Sequence, residues 1–305
     1  MAMKAKRYNS HRIYGKYRVD RTAPRITHMN FIIPYIRQSL EHRYSPEELK
    51  SLTMIICRDI LELNTTDIYL NREIYLSEEK RGKLINVIER LQRNEPIQYI
   101  RGTADFFGMS FCVTPAVLIP RPETEELVEL VIKENPSPSR ILDIGTGSGC
   151  IAISLAKNMP QAMVSAWDIS EEALSVARYT NDRQGTNVTF YNKDVLNLPW
   201  CKEKYDIIVS NPPYITEDEK KDIVPRILDW EPSIALFVPN QDPLRFYRCI
   251  ARLGIDMLSG SGKLYFEINR TFGKDIVRML EELHYQNIRI LKDLFKNDRF
   301  ITAER

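Results

Sequence analysis

Apolar and polar residues in the part of the chain after residue 28 first follow the period of an α-helix. The segment Ser45-Pro46-Glu47-Glu48 is typical of a helix start, because Ser45 can cap, Pro46 fits the first turn and Glu48 can complete a capping box. Residues 77–91 predict a second helix with one apolar face. These patterns predict a small helical domain over residues 29–102, suited to recognition. The apolar positions that follow the helix start are Leu49, Leu52, Ile55, Ile56 and Ile60.

The pattern changes after residue 102. Phe106, Phe107, Phe111 and Val113, with Gly108 among them, indicate two short strands joined by a tight turn. This spacing predicts a β-hairpin connector over residues 103–119. The segment Pro120-Arg121-Pro122 ends the connector.

From residue 140 onward, short apolar runs alternate with helical stretches. Ser170 is placed to cap one helix, and Asp242-Pro243 is placed to start another that reaches about residue 257. The last two apolar runs, 288–291 and 300–302, predict a terminal antiparallel pair. Such alternation predicts a doubly wound, mostly parallel α/β sheet of the Rossmann-like type over residues 120–305. The predicted parallel strands are 141–144, 163–167, 188–191, 205–210 and 263–268.

Composition places the chain among ordinary globular proteins. It has 305 residues, of which 43% are hydrophobic and 28% are charged. No run of about 18 apolar residues predicts a membrane span, and no signal sequence precedes the body, so we expect a cytoplasmic protein without membrane contact. The five cysteines form neither a CxxC pair nor a Cys/His cluster, so we expect no metal site.

Charge is distributed unevenly. Residues 1–28 carry eight Lys and Arg but one acidic residue, a net charge of +7, which leaves −5 on the remaining chain because the total is +2. The tail is expected to be disordered. It is either dispensable, with translation starting at Met29, or an arm that contacts RNA; it also has a faint likeness to a transit peptide. Nucleic acid binding is expected, if anywhere, only through this tail.

A glycine-rich turn follows the first strand of the α/β region and opens a helix. Residues 141–149 read Ile-Leu-Asp-Ile-Gly-Thr-Gly-Ser-Gly, and glycine permits positive φ and close backbone approach to a ligand. The spacing is GxGxG and not the dinucleotide GxGxxG, because Cys150 occupies the sixth position. The sequence also lacks the Lys of a P-loop. The turn therefore predicts a cofactor site formed by Gly145, Thr146, Gly147, Ser148 and Gly149.

Acidic residues near this turn indicate which cofactor it binds. Asp168 ends the next strand, where it can accept hydrogen bonds from ribose hydroxyls. Asp143 precedes the glycines, where a carboxylate repels pyrophosphate but attracts a cation. S-adenosylmethionine has a sulfonium, an ammonium and no phosphate, so the sequence favours it over NAD. Asp194, after the third strand, either is a turn residue or faces the adenine amino group, with Val195 lining the adenine pocket.

The tetrapeptide Asn211-Pro212-Pro213-Tyr214 follows the strand 205–210, at the sheet edge where α/β folds bind ligands. The Asn211 side-chain oxygen and the Pro212 carbonyl can accept both hydrogens of a planar nitrogen and offset the charge that develops there. Tyr214 can stack on the planar group. We therefore predict that Asn211, Pro212 and Tyr214 are catalytic, that Pro213 joins them in binding substrate, and that Asn211 also borders the cofactor.

Several further motifs accompany the loop and the tetrapeptide. They are Glu-Pro-Ile-Gln-Tyr-Ile-Arg-Gly at 95–102, Phe-Phe-Gly at 106–108, Ile-Pro-Arg-Pro-Glu-Thr-Glu at 119–125, Glu-Pro at 231–232 and Lys-Asp-Leu at 292–294. Together they resemble the HemK/PrmC protein-(glutamine-N5) methyltransferases, over roughly residues 29–305. Members of that family methylate the glutamine of the Gly-Gly-Gln motif in peptide chain release factors.

The resemblance implies a class I fold that binds S-adenosylmethionine at 145–149, Asp168, Val195 and Asn211. It implies that residues 211–214 hold the glutamine, that 29–102 dock the release factor, and that 120–125 lie beside the active site. Asn269 stands where many members have glycine or histidine.

Three other functions compete with this one. The same tetrapeptide occurs in methyltransferases that modify amino groups of nucleic acids, but these are expected to have a basic face and a target-recognition domain. A related enzyme methylates a ribosomal protein glutamine. A module that binds the cofactor without catalysis is the third alternative, and the intact tetrapeptide argues against it.

Overall fold

The computed structural model describes residues 29–70, 75–197 and 203–305, so the basic tail 1–28 lies outside the described residues. The chain divides into two compact units after Glu89. No helix within the described ranges is both long enough and apolar enough to cross a membrane.

The first unit is helical, as the apolar periodicity predicts. The predicted capping box is present: Glu48 N donates to Ser45 Oγ over 3.2 Å, and Ser45 N donates to Glu48 Oε2 over 3.0 Å. A π-helical turn, Ile56–Ile60, extends the helix that this box starts. Apolar side chains such as Ile36, Leu52 and Leu84 are buried in the helical unit. The helices are α1 (Met29–Leu40), α2 (Pro46–Ile55), α3 (Thr65–Tyr69) and α4 (Glu78–Gln92).

The second unit begins with the last residues of α4 and continues with helix α5 (Ile97–Arg101) and a hairpin. The strands β1 (Thr103–Phe106) and β2 (Met109–Cys112) pair antiparallel, which confirms the predicted hairpin. A helix that the sequence analysis does not predict then follows, α6 (Pro122–Glu134). Two features favour the start of this helix: Pro122 fits the first turn, and two acidic residues there interact favourably with the helix dipole.

A seven-stranded sheet forms the centre of this unit. The strands that follow the hairpin are β3 (Arg140–Ile144), β4 (Met163–Asp168), β5 (Val188–Asn192), β6 (Tyr205–Ser210), β7 (Ile215–Thr216), β8 (Phe237–Val238), β9 (Leu258–Glu267), β10 (Gln286–Lys292) and β11 (Asp298–Glu304). The order in the large sheet is β10-β11-β9-β6-β3-β4-β5. Strands β9, β6, β3, β4 and β5 are parallel, and β10 and β11 add an antiparallel pair at one edge. The doubly wound, mostly parallel sheet and its terminal pair are thus confirmed. Strands β7 and β8 form a separate short parallel pair.

Helices cover both faces of the sheet. Side chains alternate between the faces along each strand, and both faces carry apolar side chains that the helices bury. Ile141 and Ile207 pack with the first face's helices, α6 and α7 (Cys150–Asn158), while Leu142 and Ile208 pack with α10 (Arg245–Met257) and α11 (Gly273–Glu282) on the other. Helix α8 (Glu171–Gln184) contacts β4 and β5, and α9 (Pro225–Trp230) is short.

One predicted helix start is wrong. Helix α10 begins at Arg245, and the N-cap position belongs to Leu244. Asp242 does not cap it: its backbone carbonyl accepts from Arg245 N at 3.3 Å in the turn before the helix, and its carboxylate pairs with the Arg248 guanidinium at 2.8 Å.

Candidate active site

The sheet order places the predicted site at a topological switch point. From β3 the chain proceeds to β4 and β5 on one side, and then returns to β6 and β9 on the other. Ile144 of β3 lies opposite Ser210 of β6, so Gly145 and Asn211 leave the same sheet edge side by side. The Ser210 hydroxyl donates to the Ile144 carbonyl over 2.6 Å and holds these two strand ends together. Crevices at such points are where open α/β sheets bind ligands.

The strand register brings the ends of two more strands, β4 and β9, to the same sheet edge. Trp167 lies opposite Ile144, which puts Asp168 beside Gly145. On the other side Phe266 lies opposite Ser210, which puts Glu267 beside Asn211. The glycine loop, an aspartate, the tetrapeptide and a glutamate therefore share one edge of the sheet.

The glycine loop is anchored to the neighbouring strand. The backbone N–H groups of Gly145 and Thr146 both donate to the Trp167 carbonyl, at 2.8 and 3.0 Å. Gly149 has φ 82° at the start of α7, and a Cβ there would lie 2.8 Å from the Ile153 side chain. Any other residue would meet both strain and a clash at this position.

Space above the loop remains open. An added Cβ at Gly145 or Gly147 would meet no atom within 4 Å among the described residues. Ser148 and Thr146 are buried. The loop thus presents bare backbone toward the crevice, as a close-fitting ligand requires.

Asp143 is fully buried beneath this loop. Its Oδ2 accepts hydrogen bonds from the Thr146 hydroxyl at 2.6 Å and from Ala152 N at 3.2 Å. Its Oδ1 is also buried and has no hydrogen-bond partner in the part of the chain that the structure describes. Burial raises the pKa of this carboxyl to about 7, although its two hydrogen bonds favour the charged form. A cation or an N–H donor would satisfy the remaining oxygen.

Asp168 stands at the end of β4, as predicted. Its Oδ2 accepts from Gly147 N at 2.8 Å and its Oδ1 from Ser170 N at 2.9 Å. Burial raises its pKa above the usual value, and these backbone donors oppose that shift. A carboxylate offers about four acceptor positions, so two remain for hydroxyl groups of a ligand.

Asp194 is engaged in its own turn. Its Oδ1 accepts from Leu196 N at 2.9 Å and its Oδ2 from the Asn197 side chain. These contacts give Asp194 a role in its own turn, and the remaining acceptor positions of its carboxylate leave the adenine contact a prediction. Val195 is half-buried and packs against the core formed by α10 and the sheet, and its carbonyl accepts from Cys249 Sγ.

The tetrapeptide leaves β6 with its asparagine held by a residue of another segment. Asn211 Nδ2 donates to Thr124 Oγ1 over 3.2 Å, and the Thr124 hydroxyl donates to Glu267 Oε2 over 2.7 Å. Tyr214 reaches the same glutamate, because its hydroxyl donates to Glu267 Oε1 over 3.3 Å. Of the two residues between Asn211 and Tyr214, Pro212 is buried and Pro213 is half-buried.

Glu267 is the residue that the sequence analysis misses. It is 1% exposed, and burial raises the pKa of its carboxyl. Burial and the nearby Glu267 charge also raise the pKa of Tyr214, which keeps that phenol protonated at neutral pH. A charged residue at the end of an apolar strand is the one sign that the sequence offers, since buried carboxylates need hydrogen-bond partners.

Two further contacts support the rim of the site. Asn269 donates to the Tyr214 carbonyl over 3.2 Å, so the residue that departs from the family pattern supports the tetrapeptide. Arg121 pairs with buried Glu231 at 2.6 Å, and Ile119 N donates to the same carboxylate over 3.2 Å. This pairing ties the motif at 119–125 to the motif at 231–232.

Comparisons with known proteins agree with this geometry. Residues 123–232 match the family model of the methyltransferase small domain, and residues 32–102 match that of the PrmC N-terminal domain. A methyltransferase from Pyrococcus furiosus, 19% identical and covering 72% of this chain and 98% of its own, superposes with a TM-score of 0.50, which shows the shared fold.

Curated relatives are much closer in sequence. The release factor glutamine methyltransferase of Bacteroides thetaiotaomicron is 58% identical over 278 residues, which are 91% of this chain and 100% of that protein. That of Flavobacterium psychrophilum is 44% identical over 269 residues, 87% of this chain and 94% of that protein. With the doubly wound fold, the glycine loop and the Asn-Pro-Pro-Tyr segment at one sheet edge, this likeness along nearly the whole chain shows that the protein belongs to the family of release factor glutamine methyltransferases.

Proposed function

We propose that this protein transfers the methyl group of S-adenosylmethionine to the side-chain amide nitrogen of the glutamine in the Gly-Gly-Gln motif of peptide chain release factors. The observation that carries the proposal is the position of Asn211, which leaves the sheet beside the glycine loop with its amide nitrogen bound to Thr124. The names of the curated relatives supply the substrate class. Because that substrate acts in translation, we place the reaction in the cytoplasm.

The cofactor end of the crevice fits S-adenosylmethionine. The buried Oδ1 of Asp143 calls for a cation or an N–H donor, and Asp168 retains acceptor capacity for ribose hydroxyls. Gly145 and Gly147 leave room for a ligand against the backbone. Among the described residues neither Asp143 nor Asp168 forms an ion pair, and two such acidic groups suit this cation better than a phosphate. When bound, the cofactor supplies an electrophilic methyl group on its sulfonium.

The residues of the chain supply positioning. An amide nitrogen is a poor nucleophile because its lone pair is delocalised into the carbonyl. We infer that Asn211 Oδ1 and the Pro212 carbonyl accept its two N–H hydrogens and hold it in line with the methyl group. These acceptors also stabilise the positive charge that develops on nitrogen before its proton leaves. Tyr214 packs against the planar amide.

Residues 29–102 are the part of the chain we propose to dock the release factor. They coincide with the PrmC N-terminal domain match at 32–102. A whole release factor is therefore expected to have a much lower KM than a short peptide that contains Gly-Gly-Gln.

The proposal is tested by transfer of label from tritiated S-adenosylmethionine. We expect label on a purified release factor and none on the same factor with its Gly-Gly-Gln glutamine replaced by alanine. Ribosomal RNA, DNA and ribosomal proteins serve as parallel substrates. Label on any of these, or on the factor that lacks the glutamine, would contradict the proposed substrate.

Asn211→Ala tests the positioning role at the level of one side chain. Removing one preorganised hydrogen-bonding group at a developing charge lowers kcat by about 10²–10³-fold. Asn211→Asp retains an acceptor and should keep partial activity. The matched control is Asn158→Ala at the far end of α7, which also loses one side-chain hydrogen bond, to Ser154, but lies away from the site. Near-normal kcat for Asn211→Ala would disprove the positioning mechanism.

A further inference from the structure

A buried relay of side chains determines which end of the Asn211 amide faces the crevice. Thr124 is 2% exposed and Glu267 is 1% exposed. The Thr124 hydroxyl lies between Glu267 and Asn211, 2.7 Å from Glu267 Oε2 and 3.2 Å from Asn211 Nδ2. Thr124 belongs to the first turn of α6 and Glu267 ends β9, so both positions are fixed by regular structure.

The direction of each hydrogen bond follows from the chemistry of the groups. A hydroxyl has one proton to give, and the ionised carboxylate of Glu267 can only accept, at Oε2 from Thr124 and at Oε1 from Tyr214. Burial raises the pKa of this carboxyl, but both hydroxyl donors and the charge of Arg299 oppose that shift and favour the ionised form. Thr124 therefore gives its proton to Glu267 and has only lone pairs left for Asn211. A lone pair calls for an N–H donor, so the asparagine must turn its NH₂ group to Thr124 and its Oδ1 the other way.

Glu267 is itself held at two points. Its Oε1 accepts from the Tyr214 hydroxyl at 3.3 Å, and its backbone carbonyl accepts from the Tyr247 hydroxyl at 3.1 Å. One carboxylate thus joins both ends of the tetrapeptide. Without it the Thr124 hydroxyl would be free to rotate and to donate to Asn211, which would favour the opposite amide orientation.

We propose that Thr124 and Glu267 are positioning residues that hold Asn211 Oδ1 toward the substrate amide. This inference rests on the proposed function and adds to it the pair of residues that set the polarity of the acceptor. Neither residue needs to touch substrate or cofactor.

The test compares Thr124→Val with Thr124→Ser. Valine has nearly the same shape but no hydroxyl, whereas serine restores the hydroxyl. We expect Thr124→Val to lower kcat on release factor by about 10–100-fold, as small misplacements do, with an unchanged KM for S-adenosylmethionine. Thr124→Ser should recover most of that loss. The matched control is Thr180→Val in α8, which removes another buried hydroxyl that bonds to Cys112 N.

A second measurement does not depend on turnover. In ¹⁵N-labelled protein, the side-chain N–H protons of Asn211, assigned by their absence in Asn211→Asp, should exchange slowly with water in wild type and in Thr124→Ser, and faster in Thr124→Val. Equal exchange in all three proteins overturns the relay even if the enzyme is active. Slow exchange in wild type without transfer to release factor would instead count against the proposed function alone.

An independent observation concerns the turn between β10 and β11. Leu294 and Phe295 are adjacent there and are 83% and 76% exposed, the two highest values for large hydrophobic side chains among the described residues. The turn is held firmly, since Leu294 N donates to Glu126 at 3.1 Å and Asp293 accepts from Asn297 N at 2.9 Å.

The turn also lies beside the active site. Strand β11 runs antiparallel to β9 and pairs Phe300 with Glu267, so the turn before β11 projects from the sheet edge that carries Glu267 and Asn211. Rigid, exposed aromatic and aliphatic anchors are typical of protein interfaces. We infer that Leu294 and Phe295 contact the release factor next to its Gly-Gly-Gln loop, which again rests on the proposed function.

Leu294→Ser with Phe295→Ser tests this surface. We expect the KM for whole release factor to rise about tenfold or more, as for loss of an interface anchor, with kcat and the KM for a free Gly-Gly-Gln peptide unchanged. Met163→Ser, an exposed residue at the opposite end of β4, is the control. An unchanged KM for the whole factor overturns the surface, and so does a shift from dimer to monomer in the double variant, which would assign the turn to self-association.

Discussion

Replacing Asp143 by asparagine separates the cost of burying this carboxylate from every other titration in the protein. Asparagine has the same size and can still accept from Thr146 and Ala152 through its oxygen. Its NH₂ group then takes the place of the oxygen that has no partner among the described residues. The variant stays neutral at every pH, so the difference in stability between the two proteins reports Asp143 alone.

The sign and size of the effect follow from the pKa. Burial raises it from the ordinary 3.8 to about 7, so the folded protein holds a proton that the unfolded chain has already lost. Stability from this group is therefore full below the unfolded pKa and is lost as pH rises through the folded one. One pKa unit corresponds to about 1.4 kcal/mol, so the full change is roughly 4 kcal/mol. Between about pH 5 and about pH 8 the expected loss is roughly 2.5 kcal/mol.

Urea unfolding of both proteins across this pH range measures the effect. We expect the free energy of unfolding of wild type, minus that of Asp143→Asn, to fall as pH rises and to level off above about pH 8. Saturating S-adenosylmethionine should flatten the curve, because a ligand that satisfies the buried Oδ1 stabilises the folded, ionised form. A difference that does not change with pH would show that Asp143 is ionised throughout, and the reasoning from burial would be refuted.

Two other predictions concern the cofactor site and the tail. Asp168→Ala should weaken S-adenosylmethionine binding by about 1–3 kcal/mol through loss of charge-assisted hydrogen bonds, and unchanged affinity by calorimetry would remove Asp168 from the site. Deletion of residues 1–28 should leave kcat/KM on release factor unchanged, whereas a large drop with unaltered cofactor affinity would support an arm that contacts RNA or the ribosome.

The parts of the site that lie next to strand ends could be predicted from the sequence. Gly145, Asp168 and Asn211 each follow an apolar run, and parallel strands bring such positions to one sheet edge. The apolar runs that predict the strands therefore also predict which residues follow the strand ends. Helix α6 was missed because the Pro-Arg-Pro segment reads as an end to the connector, although its second proline begins a helix.

Long-range side-chain contacts could not be predicted in the same way. Thr124 and Glu267 are 143 residues apart, and no local pattern says that a threonine in a first helical turn meets the end of the fifth parallel strand. The sequence also left Asp194 between two roles. Only the geometry of its turn shows where its carboxylate oxygens are engaged.

The chemistry of the tetrapeptide explains why its support comes from distant segments. Pro212 and Pro213 have no N–H group, so this turn cannot be stabilised by backbone donors of its own at these positions. Other side chains take over: Asn269 donates to the Tyr214 carbonyl, and the Thr124 hydroxyl holds the Asn211 amide. The two adjacent prolines fix the backbone of this turn, while the orientation of the residues on either side depends on α6 and on the end of β9. A site built in this way needs its buried partners as much as its own motif, and a search for that motif alone cannot find them.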